Sequence, residues 1–164
     1  MGQREMVLLL GAIFFFSMST FSVNRFFVTS NEIVMRSEFD YYGISLAQKF
    51  IEEAKTRAFD ATIAFGTLNN VPGDFNSPYS LGHANNESYP NFNDVDDYHN
   101  LRINVDSGRT TYSVSAVVYY VNEYNPDQNV NYRTRLKKMV VTVSSPYMTS
   151  NVVMSHVFSY YELG

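Results

Sequence analysis

Three short arrangements in this chain combine residue types and spacing that can do chemistry. The first is Asp94-Val95-Asp96-Asp97-Tyr98-His99. Its carboxylates are hard oxygen ligands of the kind Ca²⁺ takes, so Asp94, Asp96 and Asp97 form a candidate cation loop. The spacing lacks the glycine and the bidentate glutamate of an EF-hand frame. The expectation is therefore a structural turn capped by its own aspartates, with Tyr98 packed inward and no obligatory metal. The second is Glu5, which stands just ahead of a charge-free run and, at a helix N-terminus, meets a favourable dipole. The third is Asn86-Glu87-Ser88, an N-x-S sequon of the kind an Asn-rich loop produces by chance. His83, His99 and His156 are far apart in sequence. His156 shares a strand face with Val152, Met154 and Phe158, which reads as a hydrogen-bonded sheet histidine. There is no cysteine, no Ser/His/Asp grouping, no Gly-rich phosphate loop and no H-E-x-x-H. The chemistry expected is that of a scaffold without catalysis, cofactor or metal.

The element that positions Glu5 is the run Met6–Val23, MVLLLGAIFFFSMSTFSV, which holds no charge, Pro or Asn. As a helix it spans roughly 27 Å, close to a bilayer's hydrocarbon core. Arg4 and Glu5 bound it on one side, Asn24 and Arg25 on the other. A run without alternation satisfies its backbone in lipid only as a helix. Three readings follow from it. A cleaved signal fits poorly, because the apolar core is long and only Ser17-Met18-Ser19 stands in for a cleavage site. A membrane anchor is the second, and a filament-forming helix that starts in a membrane and ends among copies of itself is the third.

Pro is absent before Pro72, so one helix is expected from Gln3 to about Phe59, on the order of 85 Å long. Its second part is amphipathic: Phe39, Tyr42, Leu46, Phe50 and Ala54 recur at three- and four-residue spacing. Glu53 and Arg57 stand at i,i+4. Ser17, Ser19, Thr20, Ser22 and Asn24 make the middle the place where loosening is expected. From Asp60 to Asn100 the pattern dissolves into Asn residues, Pro72-Gly73, Pro78 and Pro90, a long surface-packed loop. Alternation then marks strands at Leu101–Val105, Tyr112–Tyr120, Met139–Val143 and Val152–Tyr161, with a hairpin turn at Asp106-Ser107-Gly108-Arg109. The expected fold class is α+β: a long N-terminal helix, apolar in its first half and amphipathic in its second, packed on a four-stranded antiparallel sheet. The domains expected are an apolar helix over 1–28 and a globular domain over 29–164.

The chain has 164 residues, room for one domain beyond the apolar run. Its net charge of −4 argues against a nucleic-acid partner, which needs a basic face. Thirteen Tyr and thirteen Phe suit half-exposed strands and protein interfaces.

This order of elements resembles that of the type IV pilins and the pseudopilins of type II secretion. The stretch Asp94–His99 is similar to an acidic, aromatic-ended signature of minor-pilin-like and MSHA-type proteins. Leu136–Val143 is similar to their basic-then-valine strand. The resemblance implies a structural subunit of an extracellular filament on the cell surface, a fimbrium with a role in adhesion, with a membrane-inserted precursor. The implied partners are copies of itself in a helical polymer, the inner membrane before assembly, and the pilus assembly machinery. The implied assembly residues are Glu5, Met6, Leu8, Leu9, Leu10, Ile13, Phe14, Phe15, Phe16, Phe21, Phe26 and Phe27. In the family a glutamate at the fifth mature position neutralises a neighbour's N-terminal amine; Glu5 is fifth if Met1 is the first mature residue. The chain departs from the family at Met1, where Phe is usual, at Arg4, and at Phe21-Ser22-Val23, where a helix-kinking Pro is common. The family's Gly-ending leader is not seen ahead of Met1, so the sequence is expected to be either the processed form or a divergent subunit that needs no long leader. These departures bear on leader processing and N-methylation more than on the fold. The alternatives are a bitopic membrane-anchored receptor or adhesin domain and a minor pilin or pseudopilin of a secretion system.

Overall fold

The computed structural model describes residues 2–84 and 87–161. Helix α1 runs Gln3–Lys55, followed by a short helix α2 (Ala61–Ala64), a 3-10 turn (Asp96–Tyr98) and strands β1 (Leu101–Asp106), β2 (Thr111–Tyr120), β3 (Leu136–Ser144) and β4 (Val152–Ser159). The chain divides into two compact units, Met1–Glu38 and Phe39–Gly164.

In the first unit α1 exposes large apolar side chains on every side: Leu8 is 74 %, Phe15 77 % and Phe21 70 % exposed. The helix continues without a break through Ser17–Asn24, where the sequence predicts loosening. The reason lies in the hydroxyls. Ser17 Oγ donates to Ile13 O at 2.8 Å and Thr20 Oγ1 to Phe16 O at 2.9 Å, so they bond within the helix instead of drawing its backbone away.

In the second unit α1 supplies one wall of the core. Leu46, Phe50 and Ala54 are buried as expected, joined by Gly43, Ala47 and Ile51. Phe39 packs at the margin, its ring stacked 5.3 Å from that of Tyr147, and Tyr42 stays partly exposed against Tyr112. Gly43 is there for space. A Cβ at this position would lie 2.6 Å from Met148 Cε, so the bare backbone lets the segment between β3 and β4 close on the helix. The helix ends at Lys55, one turn before Phe59. Thr56 N–H closes on Glu53 O and Arg57 N–H on Ala54 O, both at 3.1 Å. Ala58 then leaves to pair with the acidic segment, donating to Asn93 O and accepting from Val95 N–H.

The sheet is an antiparallel meander in the order β1-β2-β3-β4. Its register sets Val114 opposite Ile103 and Val143, and Val141 opposite Ala116 and Met154. Alternate residues of β2 and β3 point inward, and Tyr112, Val114, Val118, Met139, Val141 and Val143 are fully buried. Gly108, at φ 78°, takes the left-handed position of the β1–β2 turn, with its N–H on Asp106 Oδ1 at 2.8 Å. β4 ends at Ser159, short of Tyr161. The long loop joins the core: Phe75, Phe92, Val95 and Tyr98 are buried, and Asp60 caps α2 by accepting from Thr62 N–H.

Candidate functional site

The twelve side chains implicated in assembly sit in the first turns of α1 through Phe27. Apart from Glu5 they are all large apolar groups left exposed, from 50 % at Leu9 to 77 % at Phe15. Glu5 Oε2 accepts the Gly2 N–H at 3.1 Å, a local cap at the helix start that holds the carboxylate beside the apolar run. Among the described residues this is the one helix long and apolar enough to cross a membrane.

The other concentration of functional groups is inside the Phe39–Gly164 unit. Asp94, Asp96 and Asp97 are brought together there, and all are buried. Asp94 Oδ1 accepts from Asp96 N–H at 2.7 Å and Asp97 N–H at 3.3 Å. Asp97 Oδ2 accepts from Asn93 N–H and Asp94 N–H. These are turn caps, and Tyr98 packs inward with its hydroxyl on Glu53 Oε1 at 3.0 Å. Among the described residues no group of three or more His, Asp or Glu is arranged to hold a metal ion. The sequon asparagine, Asn86, lies outside the described residues.

Asp96 faces a cation that the sequence reading overlooked. Lys137, on the inward face of β3, is fully buried, its Nζ 2.7 Å from Asp60 Oδ2 and 2.7 Å from Asp96 Oδ1. It also donates to Phe59 O at 2.9 Å. The rings of Phe59, Tyr120 and Phe75 surround the ammonium at 4.5, 5.1 and 5.8 Å. Asn76 ties the cluster together: its N–H donates to Asp60 Oδ2, its Nδ2 to Asp96 Oδ2, and its carbonyl accepts from the Tyr120 hydroxyl. The parity of β3 carried the signal, since Met139, Val141 and Val143 face inward and Lys137 shares their side.

Burial pushes the Asp94 carboxyl up to about 7, reinforced by the charges of Asp96 and Asp97. Burial likewise lifts Asp96, to about 6, against the pull of Lys137. For Asp60 burial raises the value, but Lys137 and the N–H groups of Asn76 and Thr62 together outweigh it and bring the carboxyl below its ordinary range. The signs then set a pH dependence. Asp94 and Asp96 bind a proton more tightly folded than unfolded, so their contribution to stability is full below the ordinary carboxylate range and is lost as pH rises through about 6 and about 7. Asp60 acts oppositely and only at lower pH. The folded unit is therefore expected to melt higher at about pH 5 than at about pH 8, by roughly 1–3 kcal/mol of stability. Asp94→Asn keeps an acceptor at Oδ1 and should flatten that dependence. Thermal melts across this range check it, and stability that rises steadily to about pH 8 would contradict it.

The three histidines serve separate roles. His99 Nδ1 accepts the Val118 N–H at 3.1 Å, a strand-edge contact absent from the sequence reading. His83 stacks on Phe92, and His156 meets Phe158 edge-on at 4.9 Å.

No family model, curated protein or solved structure matches the chain. The architecture itself is pilin-like: a long N-terminal apolar helix, suited to membrane insertion or secretion, whose continuation packs on a four-stranded antiparallel sheet.

Proposed function

We propose that the chain is a structural subunit of an extracellular type IV pilus-like filament, assembled through its N-terminal apolar helix and held in the inner membrane beforehand. The observation that carries this reading is the contrast within α1. From Met6 to Val28 its large apolar side chains are exposed all round, while from Phe39 onward one face closes a folded core. A helix apolar all round needs lipid or protein on every side. A membrane supplies this before assembly, and the same helix of other copies supplies it afterwards. Each large side chain withdrawn from water contributes about 1.5–3 kcal/mol, less when lipid is the starting solvent. The subunit acts as scaffold and surface, without catalysis, and its partners are its own copies and the assembly machinery. Electron microscopy of the purified assembly tests this: helical fibres are expected, and discrete particles alone would reject the reading in favour of a bitopic receptor or adhesin.

Glu5 is assigned the charge-neutralising role in the filament core, because an unpaired charge among packed apolar helices is expensive. Glu5→Ala is expected to lower filament yield severely while membrane insertion and the sheet domain persist. Undiminished yield in the variant would remove Glu5 from assembly.

A further inference from the structure

We propose that the chain carries a self-modification site in which Lys137 Nζ condenses with the side-chain carboxyl of Asp60 to form an internal amide, with Asp96 as the proton-transfer group. The inference is independent of the filament reading.

The geometry has the parts such a reaction needs. Lys137 Nζ lies 2.7 Å from Asp60 Oδ2, so amine and carboxyl are already held in direct contact, the proximity such a condensation needs. Asp60 Oδ1, the oxygen that stays, already accepts two donors, Thr62 N–H at 3.1 Å and Thr62 Oγ1 at 2.9 Å. Those donors sit where negative charge develops when the amine adds. Asp96 Oδ1 is buried with the same Nζ, 2.7 Å away, as its close polar neighbour, an oxygen placed to take and return a proton. Lys137, Asp60 and Asp96 are fully buried, and the rings of Phe59, Phe75 and Tyr120 enclose the ammonium. In the resting cluster Lys137 holds Asp60 ionised, but water-free surroundings bring the neutral pair, amine facing carboxylic acid, closer in energy than it is in water.

The step balances without an oxidant or co-reactant. The Lys137 ammonium passes a proton to Asp60 Oδ2, giving an amine and a carboxylic acid. The amine lone pair forms the Nζ–Cγ bond, and the charge moves to Oδ1 beside Thr62. The neutral Asp96 carboxyl protonates the Oδ2 hydroxyl and takes a proton from Nζ, the Cγ–Oδ2 bond breaks, and water leaves. Asp96 is regenerated, and an ammonium and a carboxylate have become one amide and one water. The product removes two buried charges and keeps one N–H, within reach of Phe59 O.

Mass spectrometry of the full-length chain purified in detergent tests this. The wild type is expected to weigh about 18 Da less than its sequence, one water, with a branched peptide joining Asp60 to Lys137. Trypsin should no longer cleave after Lys137. Asp96→Asn, which keeps the side chain's size, and Lys137→Arg, which keeps the charge but cannot form this amide, should both show the full mass. A wild type at full mass with separate Asp60 and Lys137 peptides overturns the proposal, as does a lost water that maps to any other pair.

Discussion

Removing residues 1–28 is expected to yield a soluble, folded monomer that forms no fibres. The lost segment is the apolar part of α1, which has no polar face and no place on the surface of a soluble monomer. The core needs none of it: Leu46, Ala47, Phe50, Ile51 and Ala54 stay in the chain and still cover the sheet. Ile33, Val34 and Met35 remain exposed, but they are interleaved with Glu32 and Arg36, paired at 2.9 Å, and with Glu38. Circular dichroism should show mixed helix and strand with cooperative unfolding, and sedimentation should show a single small species. Fibres from the truncated chain would mean that sheets and loops hold the polymer, and the role given to Met6–Val28 would fall.

Lys137→Met is expected to destabilise the Phe39–Gly164 unit severely, whereas Lys138→Met should leave its melting temperature nearly unchanged. The neighbours differ by one position and so by one face of β3. Lys138 pairs with Asp127 at 2.7 Å on the solvent side, where water screens the pair. In the ion-paired form Lys137 stands between two buried carboxylates, and its loss leaves Asp60 and Asp96 without a cation in a medium that solvates them poorly; where the amide has formed, the loss removes that cross-link as well. Breaking a buried pair in this way costs about 3–5 kcal/mol, which lowers the melting temperature on the order of 10 °C. Adding Asp60→Asn and Asp96→Asn to Lys137→Met should recover part of the loss, because the neutral amides keep acceptors for Thr62 and Asn76. Equal melting of the two single variants would show that the buried cluster contributes no more than a surface pair.

Much of this fold is legible in the sequence because its signals are local. The period of two in β2 and β3 gives their inward faces, and Asp106-Ser107-Gly108-Arg109 marks the turn between β1 and β2. The three- and four-residue stripe gives the packed face of α1, although Gly43 enters it only because Met148 arrives from a hundred residues away. What sequence misses is set by contacts distant along the chain. The helix stops at Lys55 because Ala58 pairs with Asn93 and Val95. The long loop looks unstructured, yet Phe75, Phe92 and Tyr98 fix it in the core. Lys137 reads as a surface cation by type and as a core residue by parity. Parity decides, because Asp60, 77 positions away, is folded back to meet it. For the apolar segment the sequence reveals the composition and the helix, and partners outside the chain determine the rest.

The order of the strands has a consequence for how the protein matures. Each strand pairs with the next along the chain, so the sheet can zip up hairpin by hairpin with short loop closures. The helix that covers it is made first and waits. Tyr112 must reach back to the carbonyl of Phe39, and Thr149 N–H to Asp40 Oδ1, 109 positions earlier. Until β3 and β4 leave the ribosome, Leu46, Phe50 and Ile51 have no surface to close against. The amphipathic stretch is therefore a transient aggregation hazard during synthesis. An N-terminal segment already lodged in a bilayer would tether each nascent chain and keep those waiting stripes apart.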